Sequence, residues 1–304
     1  MSSAPSVPDA DRRLLLVHAH PDDETIGTGV TMAKYVTEGA HVALVTCTLG
    51  EEGEVLVPEL GHLAAHERDE LGGHRRAELA SALAALGVTD HEYLGGPGRY
   101  RDSGMMGLPT NDRPDCFWQA DLLEAATPLV RTMRRVRPQV VVTYDDFGQY
   151  GHPDHIQAHR VTCYALLLSA VPSFRPELGE AWDVSKLYWT ALPQSAVQQG
   201  IDAFVAAGGQ GFFGLEEGQE LDWALDDAWV TTRVRAVEHE PVKIAALREH
   251  LSQVGTENDF FRLSELAGPE AMGVEYFRLA RGNLGPAGDD GLEHDLFSGL
   301  TPTG

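Results

Sequence analysis

The chain has 304 residues, with 23 Lys and Arg against 46 Asp and Glu, and a formal net charge of -23 with histidine neutral. Such an acidic balance excludes a duplex nucleic-acid binder, whose affinity comes from basic side chains neutralising phosphates, and argues equally against attachment to an anionic membrane surface. With 43% hydrophobic residues the chain can fill a core, which excludes disorder as its overall state.

The opening Met1 to Arg13 contains no apolar segment of signal-peptide kind, and the most apolar stretch, Ala165 to Val171, is far shorter than the ~20 residues of a membrane helix. Three cysteines, Cys47, Cys116 and Cys163, form no disulfide framework. A soluble protein of the reducing cytoplasm is expected, with neither membrane nor nucleic acid as partner.

Leu14 to Val17 is a continuous apolar run that reads as a strand buried on both faces, ended by His-Ala-His-Pro. Glu24 to Glu38 follows as a helix, with Gly39 at the place of a C-terminal cap. His41 to Leu49 reads as a second strand and Gly50 to Glu54 as an acidic loop. A helix is expected from His62, weakened at Gly72 and Gly73, to Leu86. A third strand covers His91 to Leu94, and Gly95 to Asn111 is a long loop. Gln119 to Arg135 is a helix leading into Gln139 to Tyr144, the clearest buried strand, and a further helix ends near Ala170. Strand and helix alternate, which predicts an α/β fold with a largely parallel sheet wrapped by helices.

The second half is less regular. Lys186 to Leu192 reads as a strand, Ser195 to Ala206 and Val237 to Val254 as helices, Gly208 to Gly218 as glycine-rich, and the tail from Gly282 as loop. No Pro/Ser linker divides the chain.

Parallel sheets place ligands outside the carboxyl ends of their strands. Two clusters rich in His and Asp sit there: His20-Pro-Asp-Asp-Glu24 after the first strand and His152-Pro-Asp-His155 after the strand ending near Tyr144. A catalytic zinc takes three ligands from His, Asp or Glu and leaves a position for water, whose pKa drops to about 7 in favourable sites. One His and one carboxylate of the first cluster with one His of the second would meet that count, leaving an acid and an imidazole for proton transfer. A single His-Pro-Asp is otherwise read as a capped turn. His18 shares a strand face with His20 and is expected to support rather than ligate. His159, one helical turn after His155, is a weaker ligand candidate, and Cys47 reads as core. Gly27-Thr-Gly29 lacks the rest of a dinucleotide fingerprint, and there is no P-loop or Gly-x-Ser-x-Gly.

The phrase Val17-His-Ala-His-Pro-Asp-Asp-Glu24 together with Gly151-His-Pro-Asp-His155 resembles the signature of the zinc-dependent N-acetylglucosaminyl-phosphatidylinositol deacetylase superfamily, also called LmbE-like or PIG-L-like. The likeness runs from about Arg13 to Val161. It continues through Lys186-Leu-Tyr-Trp-Thr and Val242-Lys-Ile-Ala-Ala-Leu, and includes Thr46-Cys-Thr-Leu-Gly-Glu-Glu-Gly-Glu-Val55 and Tyr93-Leu-Gly-Gly. More narrowly it is similar to the branch that deacetylates N-acetylglucosaminyl-inositol in mycothiol biosynthesis. The resemblance implies a Rossmann-like catalytic core over about 12–175, a smaller C-terminal α+β part over 176–281 that completes the pocket, and a loop-rich tail over 282–304.

By motif position the resemblance makes His20, Asp23 and His155 the ligands of Zn2+, with Fe2+ as the alternative, and Asp22 the general base. Tyr150 would steady the oxyanion. His152 would act as imidazolium or proton donor, oriented by Asp154. Arg75, Asp102 and Glu54 match positions that bind the sugar and inositol hydroxyls of a small amino-sugar inositol substrate. The competing expectations are a mycothiol S-conjugate amidase, a deacetylase of another N-acetylated sugar, and an inactive sugar-binding protein. The amidase branch carries a lysine shortly after its first motif, where this chain has Thr25-Ile-Gly-Thr-Gly-Val30.

Overall fold

The computed structural model describes residues 7–206, 208, 224–255 and 259–301. In chain order the first half comprises β1 (Arg13–His18), α1 (Asp23–Thr37), β2 (His41–Thr46), α2 (Leu71–Leu86), β3 (Asp90–Tyr93), α3 (Leu122–Val136), β4 (Val140–Thr143), the distorted turn α4 (Gly148–Gly151) and α5 (Pro153–Ser169). The second half adds β5 (Lys186–Ala191), α6 (Gln194–Ala206), β6 (Thr232–Arg235), α7 (Glu240–Glu249), α8 (Asp259–Ala267), α9 (Glu270–Gly273) and β7 (Val274–Arg281).

These strands form one seven-stranded sheet in the order β3-β2-β1-β4-β5-β7-β6. The first five are parallel, with Leu14 opposite Val42 on one side and Val140 on the other, while β7 runs antiparallel to both β5 and β6. Successive residues of a strand face opposite sides of the sheet. Leu14 and Leu16 therefore pack with Val30 and Tyr35 of α1 and Leu79 of α2, and Leu15 and Val17 with Leu129 of α3 and Val161 of α5. Each such fully buried side chain contributes on the order of 1.5–3 kcal/mol. The chain moves from β1 outward to β2 and β3, then returns to place β4 on the other side of β1. A crevice opens at that reversal, outside the carboxyl ends of β1 and β4.

The helix expected from His62 begins only at Leu71, and residues 58–63 form a 3-10 turn. Gly72 lies in the first turn of α2, where an added Cβ would lie 2.8 Å from Cγ of Glu51, so it permits a close approach. α3 begins at Leu122 because Asp121 caps it, accepting from the Glu124 N–H at 2.8 Å. α7 covers only the middle of the expected Val237 to Val254 helix, since His250 leaves helical geometry at φ -85° and ψ 44°. β6 and β7 extend the sheet beyond what the sequence pattern indicates, and the sheet is continuous across residues 175 and 176. The tail is loop, as expected, yet Leu296 and Phe297 are core residues and Glu293 is buried against Lys186 at 2.7 Å. The glycine-rich stretch at 209–218 lies outside the described residues, as do 302–304 of the tail.

Candidate metal centre and active site

His20 leaves the end of β1 and His155 rises from the first turn of α5, and both are buried. Gly148, at φ +68°, lets the loop after β4 pass over α5, for a Cβ there would lie 2.7 Å from that of His155. Donor atoms of His20, His152 and His155 all lie within 4.8 Å of one another. Asp23 stands between two of these rings, with Oδ2 3.3 Å from His20 Nδ1 and Oδ1 3.4 Å from His155 Nε2. These separations match the edge of a tetrahedral site with bonds of about 2.0–2.2 Å, which is about 3.3–3.6 Å. Both ring nitrogens of the fully buried His155 lack a hydrogen-bond partner among the described residues. Such a loss is costly unless a cation supplies the missing contact. The residues therefore fit a divalent metal ion.

The surrounding charges favour the same conclusion. Burial opposes protonation of His20, but Asp102, Asp154 and Asp23 together hold its pKa well above the ordinary value. Burial likewise opposes ionisation of Asp23, and His155 and His20 outweigh it, so the carboxyl lies well below its usual range. Three carboxylates thus converge where positive charge is stabilised.

Asp154 departs from its expected role. Its carboxylate accepts from His20 Nε2 at 3.1 Å, from the Ser103 N–H at 2.9 Å and from the Ser103 hydroxyl, and does not orient His152. The reason is helix geometry. His152 is the residue capping α5, so its Nδ1 accepts from the backbone N–H of Asp154 at 3.1 Å while the Asp154 side chain turns toward β1. With Nε2 held by a carboxylate, His20 presents Nδ1 to Asp23, an arrangement typical of metal-binding histidine. His152 is not held charged either. Burial and the neighbouring His20 and His155 bring its pKa down to about 3, leaving a neutral ring with its proton on Nε2.

Asp22 immediately precedes α1 and has φ 120° and ψ -33°. Burial raises its carboxyl to about 6 and Asp23 adds to the rise, while Arg75 and His250 oppose it. Arg75, from α2, donates to Asp22 Oδ2 at 3.0 Å, to the Gly50 carbonyl at 2.8 Å and to that of Pro21. Asp102 accepts from the N–H groups of Gly104 at 2.8 Å and Glu52 at 3.2 Å, with Oδ1 3.5 Å from His20 Nε2. Arg75 and Asp102, expected to meet substrate, are each only 3% exposed and direct their charges at Asp22 and His20. The Glu54 side chain is exposed and stands outside this buried cluster. Tyr150 is half-exposed, its ring 5.0 Å from that of His155 and 6.2 Å from that of His152, and burial raises its pKa so that the phenol keeps its proton.

Two contributors escaped the sequence analysis. The Tyr144 hydroxyl donates to Asp23 Oδ2 at 2.8 Å, accepts from the Ala19 N–H at 2.8 Å, and its ring stacks on His155 at 4.1 Å. Its place at the end of a buried strand was the available signal. Ser103, which holds Asp154, carried no signal beyond adjacency to Asp102. His18 faces Thr28 and Tyr144, at 3.0 and 3.3 Å, and His159 faces the Tyr144 carbonyl at 3.0 Å, so neither joins the donor group. Cys47 is buried in the core.

Comparison with known proteins places this geometry. The profile of the family described as PIG-L, GlcNAc-PI de-N-acetylase, matches residues 15–166, the stretch that carries both clusters. A protein of Geodermatophilus obscurus named 1D-myo-inositol 2-acetamido-2-deoxy-alpha-D-glucopyranoside deacetylase is 57% identical over 290 residues, covering 95% of this chain and 98% of its own. The chain belongs to the PIG-L family. Another relative with the same name, from Kribbella flavida, is 54% identical over 95% of this chain and 98% of its own. The fold is similar to that of the solved N,N'-diacetylchitobiose deacetylase from Pyrococcus horikoshii, with a TM-score of 0.60 and 21% identity, over 90% of this chain and 86% of that one.

Proposed function

We propose that this chain is a metal-dependent amide hydrolase that removes the acetyl group from 1D-myo-inositol 2-acetamido-2-deoxy-alpha-D-glucopyranoside, yielding acetate and the free amine for mycothiol biosynthesis. The observation that carries the reading is the buried His155, with neither ring nitrogen hydrogen-bonded among the described residues, beside Asp23 and His20. The names and near-complete coverage of the relatives support the substrate. His20, Asp23 and His155 would hold the ion, Zn2+ by the donor set and Fe2+ as the alternative for a two-histidine, one-carboxylate site. When bound, the ion polarises the acetyl carbonyl and acidifies water.

The chain's own residues do the rest. Asp22, poised at about 6, takes a proton from the attacking water as its oxygen bonds to the carbonyl carbon. Charge developing on the former carbonyl oxygen meets the protonated phenol of Tyr150 and the Nε2–H of His152. The C–N bond breaks as the amine nitrogen gains a proton, from Asp22 acting in reverse. His152, neutral and with Nδ1 engaged, serves as the hydrogen-bond donor. Arg75 and Asp102 act on the sugar indirectly, by fixing Asp22 and His20. A reducing compartment suits the three free thiols.

The test measures acetate release from N-acetylglucosaminyl-inositol against amide cleavage of a mycothiol S-conjugate, before and after chelation. Fast acetate release that chelation abolishes and added Zn2+ or Fe2+ restores is expected. Faster cleavage of the conjugate, or release indifferent to chelation, would overturn the proposal.

A further inference from the structure

We infer that His250, from the C-terminal half, is a positioning residue for Asp22 and acts through Glu24. The inference rests on the assignment of Asp22 as base and adds what holds that base in its working conformation.

At φ 120° and ψ -33° Asp22 occupies a region that L-residues rarely adopt, a conformation that persists only where neighbours impose it. The carbonyl of Asp22 accepts from Thr25 and Ile26 N–H at 3.0 and 2.9 Å, and its carboxylate is held by Arg75. The third anchor is its own N–H, which donates to Glu24 Oε2 at 2.9 Å. Glu24 is fully buried, and Oε1 accepts from His250 Nε2 at 2.9 Å and from the Thr25 hydroxyl. A buried carboxylate stripped of its donor partner is costly to leave in place and moves toward another donor. His250 thus holds the Glu24 side chain in the orientation that aims Oε2 at the Asp22 N–H.

His250 is itself held by its surroundings. It is fully buried where the chain leaves α7, its N–H donates to the Leu247 carbonyl at 3.2 Å, and its carbonyl accepts from Gln253 and Val254 N–H at 3.0 and 2.8 Å. Its Nδ1 has no hydrogen-bond partner among the described residues, so the hydrogen bonding of the ring goes to Glu24. A hydrogen-bonded link therefore runs from the end of α7 through His250 and Glu24 to the backbone of the base, more than 220 positions away in sequence.

The experiment compares His250→Ala, His250→Gln, Glu24→Gln and the double variant Glu24→Gln/His250→Ala as full-length, metal-loaded protein, measuring kcat, KM, metal content and melting temperature. His250→Ala should lower kcat on the order of 10²-fold, the scale of a displaced catalytic group, with KM and metal content unchanged. His250→Gln, whose amide N–H can reach Glu24, should recover most of that loss. Glu24→Gln, whose single amide oxygen can accept from only one of the two donors, should match His250→Ala, and the double variant should be no worse than either. Turnover of His250→Ala within roughly threefold of the parent, equal loss in His250→Gln, or additive losses in the double variant would overturn the inference. If the alanine variant does not fold, His250→Gln and Glu24→Gln decide the matter on the same criteria. Asp22→Asn run in parallel separates the two claims. Parental turnover there removes the base and this inference together, whereas loss there beside an intact His250→Ala removes the positioning alone.

Discussion

Nη2 of Arg75 lies 3.0 Å from Oδ2 of Asp22, an ion pair that ties α2 to the residue preceding α1, with side chains only 3% and 14% exposed. Burial pushes the Asp22 carboxyl upward and this guanidinium pulls it back, and the balance leaves it at about 6. A base must be deprotonated to work, so kcat/KM should fall as pH drops through about 6. Arg75→Met removes the opposing cation and should move that acid limb to higher pH, read from a pH profile of acetate release. An unmoved limb would mean that another group governs it.

Asp22→Asn should lose about 10²–10⁴-fold in turnover, the usual contribution of a positioned base, while the bound metal is retained. His152→Ala should lose on the order of 10²-fold, as for one oxyanion donor. Because His152 is neutral near pH 7, with its pKa brought down to about 3, His152→Gln keeps a donor and should regain part of the loss. A glutamine variant as poor as alanine would assign His152 to proton transfer.

His155→Ala should abolish tight metal binding. Ser103→Ala removes the hydroxyl that donates to Asp154, and Asp154 in turn holds His20 at 3.1 Å. Metal affinity should drop roughly 10–100-fold in that variant, measured by competition with a chelator. Unchanged affinity would show that Asp154 orients His20 without help from Ser103.

The tail offers a stability test. Lys186 and Glu293 are each 1% exposed by side chain and 2.7 Å apart, and Glu293 also accepts from Tyr188, Thr232 and Gly285. Lys186→Met leaves the carboxylate buried without its cation and should cost about 3–5 kcal/mol in urea unfolding. Adding Glu293→Leu should recover part of that loss. A single variant as stable as the parent would indicate that the tail contributes little to the fold.

Much of the first half was legible because its signals are local. The runs Leu14 to Val17 and Gln139 to Tyr144 are apolar without interruption, as strands covered on both faces must be, and helices alternate with them. The two clusters around His20 and His155 were visible for the same reason, since each lies in the connection that follows a strand whose end faces the crevice. β6 and β7 were not legible. β7 pairs with β5 across up to 94 positions, in the register that places Leu187 opposite Arg281, and β6 is the edge strand that pairs only with β7.

Residue types and their chain positions thus determined the fold class and the family, and placed two clusters of His and Asp at strand ends. Only the tertiary structure decided which partner each charged group meets: Asp154 with His20 instead of His152, Arg75 with Asp22, and Glu24 with His250. Hydrophobic periodicity is written within a few turns or strands, whereas the field on a buried carboxylate is set by whichever distant side chains packing brings within about 3 Å.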